Sequence, residues 1–161
     1  MSSPAPEVAT RTATAEDLPA IVSLAQHGLD EQRDARGGPV WAVRETRPKP
    51  FELSLREALT DPDHAVFVGT IDDVVVGYAA VRAEHLRSGE ALGVIEDLHV
   101  DPDAREIGVG ESLVDAVVPW CEARECIGID ALALPGNRAT KNFFESFGFK
   151  ARLLTVHRSL R

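Results

Sequence analysis

An α/β fold is predicted, with a mixed, mostly antiparallel central sheet of six or seven strands and about four flanking helices. Three features of the sequence point to it. Two β-branched runs, 65–71 and 74–81, flank Asp72-Asp73 and read as a hairpin closed by a tight polar turn. Apolar residues recur at helical spacing, as in Leu18, Ile21, Val22, Leu24 and Ala25, and again in Val109, Leu113, Val117 and Cys121. The intervals 100–127 and 134–149 each have room for one helix between parallel strands.

The elements follow in chain order. Residues 1–8 are small and Pro-rich and are expected to form a disordered tail, leaving 9–161 as a single domain. Residues 9–12 make a first strand. Thr14-Ala15-Glu16-Asp17 has the form of a helix start, and Gly28 is expected to end that helix. The stretch 29–50 resists assignment: Gly37-Gly38-Pro39 breaks its middle, and Arg47-Pro48-Lys49-Pro50 cannot be helical throughout. Residues 51–59 read as a short amphipathic helix stopped near Asp61-Pro62. After the hairpin comes a strand at 91–100, then a helix over 108–124 that Pro119 should kink. A strand at 127–134 ends at Pro135-Gly136. Asn137 caps a helix to about Ser146, Gly148 terminates it, and 149–160 supply one or two last strand segments.

Composition excludes several function classes. The chain has 161 residues, 44% hydrophobic and 27% charged, which is ordinary for a globular domain. Its net charge of −9 argues against nucleic acid as a partner, since that footprint is basic. No apolar run reaches membrane-spanning length, and the start lacks a basic end followed by an apolar stretch, so no membrane association and a cytoplasmic location are expected. Cys121 and Cys126 fall in one predicted helical segment, five apart, and read as structural thiols. His27, His64, His85, His99 and His157 form no local ligand pair, so no metal is expected.

The most informative stretch runs from Ile95 to Gly110. A strand carries Glu96 and Asp97, Pro102 bounds a turn, and Arg105-Glu106-Ile107-Gly108-Val109-Gly110 opens a helix. The amides of a helix start lack intrahelical partners and sit at the positive end of the macrodipole, which suits an anion. Gly108 and Gly110 carry no Cβ to keep a phosphate away, and Arg105 adds a mobile cation.

These residues resemble the acyl-CoA loop of the GNAT superfamily of acetyl-CoA-dependent N-acetyltransferases, whose form is Q/R-x-x-G-x-G/A. The strand end Leu98-His99-Val100-Asp101-Pro102 is similar to the family's Leu-x-Val-x-Pro, and Asn137, Phe144, Glu145, Gly148 and Phe149 fit a later family block. The resemblance covers residues 9–160 and implies the GNAT fold, with acetyl-CoA as cosubstrate in a V-shaped gap between the fourth and fifth strands. It implies that main chain around Leu98, His99 and Val100 pairs with the pantetheine arm. Amides from Ile107 to Gly110, with Arg105 and Glu106, would hold the pyrophosphate. Asn137 would reach the pantetheine side, with Phe144 nearby, while Arg138 and Lys141 either meet phosphate or form a solvated face.

The activity implied is acetyl transfer to a primary amine of a small molecule or peptide by direct attack. Glu96 is the candidate base, since the amine must lose a proton to attack. Successive strand residues face opposite sides, so Glu96 and Asp97 share a face only across a bulge. Members of the family frequently have a Tyr that protonates the leaving thiolate where this chain has Phe144, and Phe cannot donate a proton. A catalytically weak or inactive acyl-CoA-binding sensor or partner module is therefore the alternative, and a domain binding another phosphate ligand a third reading. On the acceptor side, Arg33, Arg36, Trp41 and Arg44 form a cationic, aromatic cluster that either recognises an anionic group or is a surface loop. Many relatives are dimers, so a homodimer is a possible partner arrangement.

Overall fold

The computed structural model describes residues 2–161. Its core is a five-stranded sheet in the order β1-β2-β3-β4-β5, formed by Val8–Thr12, His64–Ile71, Val74–His85, Ala91–Val100 and Cys126–Ala131. The first three pairings are antiparallel and the last, β4 with β5, is parallel. The α-helices are α1 (Leu18–Gln32), α2 (Gly38–Arg44), α3 (Phe51–Thr60), α4 (Val109–Ala123) and α5 (Arg138–Ser146), with short 3-10 turns at Ala15–Asp17 and Pro102–Ala104.

The two faces of the sheet bury different helices. Val66, Val68, Tyr78 and Ala80 point to one face and pack against α1 and α3. Ala79, Val81 and Ile95 point to the other, where the Val109, Leu113 and Val117 stripe of α4 covers them. This is the period of two along strands meeting the 3.6 period of helices. The β2–β3 turn places Asp72 and Asp73 at φ of 47° and 67°, as a tight two-residue hairpin turn requires. No helix among the described residues is long and apolar enough to cross a membrane.

Several expectations need correction. The sheet has five strands rather than six or seven, and five α-helices flank it rather than four. The difference in strands lies in residues 149–160, which enter no ladder; Phe149 still packs on the core, and 150–160 are exposed. A strand segment is stable only where a neighbouring strand satisfies its backbone, and here the segment leaves the sheet. The extra helix is α2: Gly37 takes φ +84° ahead of it, and Pro39 falls in its first turn, where a missing N–H costs nothing. Gly28 does not end α1; it is buried inside it, because a Cβ there would come within 3.1 Å of His99. Helix α4 runs from Val109 to Ala123 with Pro119 inside it, and the exposed position of Pro119 lets water take the carbonyl it frees. Cys121 and Cys126 lie in different elements, α4 and β5, and both are free thiols. Burial pushes the Cys121 thiol up to about 12.

Candidate active site

The site arises from a divergence of strands. β4 and β5 pair from Ala91 to Ile95 and then separate, β5 ending at Ala131 while β4 runs on to Val100. On its other side β4 stays in register with β3, from Asp97 opposite Ala80 to Val100 opposite Gly77. The peptide groups of residues 96–100 that face β5 therefore have no strand partner, which leaves donors and acceptors for an extended ligand. A cavity of about 430 Å3 opens there, between α1 and the 41–51 region on one side and the start of α4 and of α5 on the other.

One end of the cavity is shaped by main chain. Glu106 at φ +66° and Gly108 at φ +96° bend the loop into α4. Ser112 N–H donates to Gly108 O at 3.0 Å, so the amides of the preceding turn have no intrahelical acceptor. The helix start sits this close to the sheet because of Gly69 in β2, where a Cβ would lie 2.6 Å from Val109 Cγ1. Gly110 serves a neighbouring helix, since a Cβ there would meet the Phe143 ring at 3.1 Å.

Arg105 is held rather than mobile. It donates from Nε to Val100 O at 3.1 Å and from one terminal nitrogen to both oxygens of Glu31 at 2.9 and 3.1 Å, tying α1 to the end of β4. Beside it, His99 Nε2 lies 3.0 Å from His27 Nδ1. Burial, with the nearby Arg105 cation, lowers the His99 pKa to about 4. His99 is thus neutral at pH 7.

Most of the residues anticipated from sequence meet at this cavity. Leu98, His99, Val100, Arg105, Glu106 and Gly110 line it from β4 and the loop. Asn137 and Phe144 line it from α5. Asn137 also caps α5 by accepting from Thr140 N–H at 3.1 Å, and its amide donates to Gln32 of α1 at 3.2 Å. Ile107, Gly108 and Val109 stay out of the lining: Ile107 is exposed and Val109 is buried beneath the helix, leaving only main chain to offer. Lys141 faces outward, paired with Glu145 at 3.4 Å. Phe144 is buried against Phe143 and Phe149, with ring centroids 5.3 and 5.2 Å away.

The other end is built from charged side chains. Register slips between Ala80 and Val81, which pair with Asp97 and Ile95, so Glu96 is the extra residue of a β-bulge. Both carboxylates consequently reach the cavity. Asp97 accepts from Arg47 at 3.1 and 3.0 Å and from the Tyr78 hydroxyl at 2.6 Å, while Arg47 also donates to Ser54 Oγ at 2.8 Å. Burial opposes the charge of Arg47, but the attraction of Asp97 outweighs it and raises the pKa. Burial, then Asp97, raises the Tyr78 hydroxyl well above its ordinary value, so Tyr78 is no source of protons for a leaving group. Glu96 has looser neighbours: His64 and Arg82 at 3.5 Å and Arg47 at 3.8 Å. Its lone pairs are the freer ones.

Arg47, Asp97 and Tyr78 were missed as site residues. Arg47 sits in the Pro-rich turn, and the one available signal was an acid pair on a strand that needed a buried cation. The expected Arg33–Arg44 cluster does not form the site: Arg33 pairs with Asp30, Arg44 with Glu45, Arg36 is exposed, and only Trp41 of the group lines the cavity. Among the described residues no group of three or more His, Cys, Asp or Glu could hold a metal.

The sequence profile of the Acetyltransferase (GNAT) family matches residues 29–149, which takes in α2 through α5 and all of the cavity lining except Ala25 and Gly28 of α1. The chain belongs to this family. Two curated N-acetyltransferases are similar to it. A glucosamine 6-phosphate N-acetyltransferase of Trypanosoma brucei brucei is 33% identical over 79 residues, 48% of this chain and 52% of that protein. The chain thus spans about half the length of that relative. An aminoglycoside N(6')-acetyltransferase type 1 of Salmonella typhimurium is 26% identical over 108 residues, 64% of this chain and 74% of the relative. Among solved structures, aminoglycoside N-acetyltransferase AAC(6')-Iy in complex with CoA superposes with a TM-score of 0.71 at 19% identity over 100% of both chains. A mutant of the BH1408 protein from Bacillus halodurans gives 0.79 at 19% identity, over 94% of this chain and 99% of that one. At these identities the structures establish a shared fold.

Proposed function

We propose that the protein moves an acetyl group from acetyl-CoA to a primary amine, with Glu96 as the base that takes the amine proton. The observation that carries this reading is the diverging β4–β5 pair, whose unpaired edge runs from Glu96 toward the start of α4. In the reading, the peptide groups of Leu98 to Val100 that have no strand partner pair with the pantetheine amides, beside the Arg105 bond to Val100 O. The amides of Ile107 to Gly110 receive the pyrophosphate, where the helix dipole favours negative charge. Bound there, acetyl-CoA supplies the activated acyl carbon that the amine attacks. Glu96 accepts the proton as the C–N bond forms, and Arg47 and Asp97 hold the bulge that aims it. Phe144 offers no proton, so the thiolate leaves unprotonated or takes a proton from water.

The acceptor is proposed to be an amino sugar. The curated relatives are named for glucosamine 6-phosphate and for aminoglycosides, and carboxylates at the acceptor end suit a protonated amine awaiting deprotonation. The first test is calorimetry with acetyl-CoA, followed by thiol release across amino sugars, aminoglycosides, amino acids and peptide N-termini. Failure to bind acetyl-CoA overturns the reading. Glu96→Gln should lower kcat/KM by roughly 10²–10⁴-fold while leaving CoA affinity intact.

Phe144 favours a second reading, an acyl-CoA-binding module without turnover. Intact CoA binding with no acetylation of any amine in the panel would select it.

A further inference from the structure

Acetyl transfer has a proton balance that one carboxylate cannot meet. A primary amine in neutral solution is mostly an ammonium. It loses one proton to become the nucleophile and a second as the C–N bond becomes an amide, while the C–S bond breaks and its electron pair leaves with sulfur. Glu96 holds one proton at a time, so it must be emptied before it accepts another. A cavity filled by both substrates keeps water from it on that side.

The other side of Glu96 holds an imidazole. His64, the first residue of β2, lies opposite Arg82 in the β2–β3 ladder, and its Nε2 is 3.5 Å from Glu96 Oε1. Its Nδ1 faces Asp61, with Oδ2 at 3.1 Å. The other Asp61 oxygen accepts from Asp63 N–H at 2.8 Å, which fixes this carboxylate in the turn between α3 and β2. Nδ1 is buried and, alone among the buried side-chain nitrogens and oxygens of the described residues, has no aligned hydrogen bond. Such an atom needs an explanation in a folded protein, and a part in proton transfer is one. His64 is not in the lining of the cavity that Glu96 lines. It borders a second cavity of about 200 Å3, with Ala58 and Leu59 of α3 and Trp120 of α4. The ring thus stands between the two spaces and meets no acceptor. The charged groups around this pair are Arg82 and Arg47, at 3.5 and 3.8 Å from Glu96, the acids Asp61 and Asp63, and Arg124, which reaches Pro62 O at 3.1 Å.

We propose that His64 empties Glu96, carrying the amine's protons away from the site toward Asp61 and solvent. The neutral ring takes the proton of the Glu96 carboxylic acid at Nε2. The imidazolium, steadied by the Asp61 carboxylate, then releases its Nδ1 proton past that carboxylate to water, and tautomer exchange returns the ring to its starting form. Each cycle moves one proton and changes no other bond. A carboxylic acid is a stronger acid than an imidazolium, so the first transfer runs downhill. The separation of 3.5 Å is one small side-chain movement, or one water, from hydrogen-bond reach. His64 acts through Glu96 and positions a proton path, so the inference rests on the acetyl-transfer reading.

Thiol release is measured on the full chain with acetyl-CoA and the amine that the panel selects. His64→Gln should lower kcat by roughly 10–100-fold, and Asp61→Asn by less, with KM for the amine and CoA affinity by calorimetry within about twofold of the parent. The deficit of His64→Gln should shrink as pH rises, because hydroxide then empties Glu96 directly. His64→Ala should regain activity when imidazole is added, and across substituted imidazoles the recovery should follow their basicity rather than their size. An unchanged kcat in His64→Gln, a loss carried by KM or by CoA affinity, a deficit indifferent to pH, or a recovery that follows size each overturns the proposal. The Gln and Asn variants decide it if the Ala variant fails to fold. A parent protein that acetylates no amine overturns the acetyl-transfer reading and the relay together, whereas an active parent with unaffected variants overturns the relay alone.

Discussion

Where α4 and α5 close over the gap between β4 and β5, the cavity is shaped by peptide groups, glycines and phenyl rings. Where α1 and the turn after α2 close over it, the same cavity is lined by Arg47, Glu96, Asp97 and Tyr78. The first end draws its key groups from one short loop, residues 105–110, together with α5. The second gathers side chains from positions 47, 54, 64, 78, 82, 96 and 97, spread over β2, β3, β4 and two further segments. A backbone site depends on local conformation and tolerates changes elsewhere. A converging charge network depends on every element that delivers a member, and failure of one exposes the others.

That contrast predicts unequal sensitivity. Arg47→Ala leaves the largely buried side chain of Asp97, 13% exposed, without its cation and should cost about 3–5 kcal/mol of stability, read by urea unfolding. A change below about 1 kcal/mol would show that the network is not what holds the acceptor end together.

Acid should reveal the contribution of His99, which sits beside Arg105 and His27. The folded protein holds its pKa at about 4, against roughly 6.5 in the unfolded chain. As pH falls the unfolded chain takes the proton first. The stability is therefore complete above about pH 6.5 and is lost on descending toward pH 4, by about 3 kcal/mol. His99→Gln should flatten that part of the stability-versus-pH curve; an unchanged slope would assign it to other groups.

At the backbone end, Gly69→Ala puts a Cβ 2.6 Å from Val109 Cγ1 and should push the start of α4 off the sheet. The expected cost is about 1–3 kcal/mol, with weaker CoA binding by calorimetry. Adding Val109→Ala should restore much of the binding, and no recovery would mean that the spacing between α4 and the sheet is not the cause. The smallest effect belongs to Phe144→Tyr, which keeps the ring and adds a donor. Turnover should stay level or rise, whereas a large loss would show that packing against Phe143 and Phe149 outweighs any gain in proton supply.

The same contrast explains what could be read from the sequence. The 105–110 loop, the Asn137 cap and the Asp72-Asp73 turn are local conformations written in adjacent residues, and each is found where the spacing puts it. The Arg47–Asp97 pair spans 50 positions, and no local pattern encodes it. The bulge that turns Glu96 and Asp97 to one face depends on how β3 and β4 register, a property of two strands together. Helix α2 was hidden because Gly and Pro break helices internally yet open them readily. The expected strands at 149–160 show the opposite error: the residue pattern suits a strand, but a strand exists only with a partner beside it.

The bulge has a consequence for how the acceptor end can change. Glu96 is the one position of β4 between Ile95 and Asp97 that the ladder with β3 skips, so no backbone ladder pair depends on its identity; its ion pairs with His64 and Arg82 do. Chemistry and architecture are thereby uncoupled at that residue. Substitution at 96 removes no ladder pair, which makes this site a place where a lineage can lose, regain or replace a carboxylate without first rebuilding the fold.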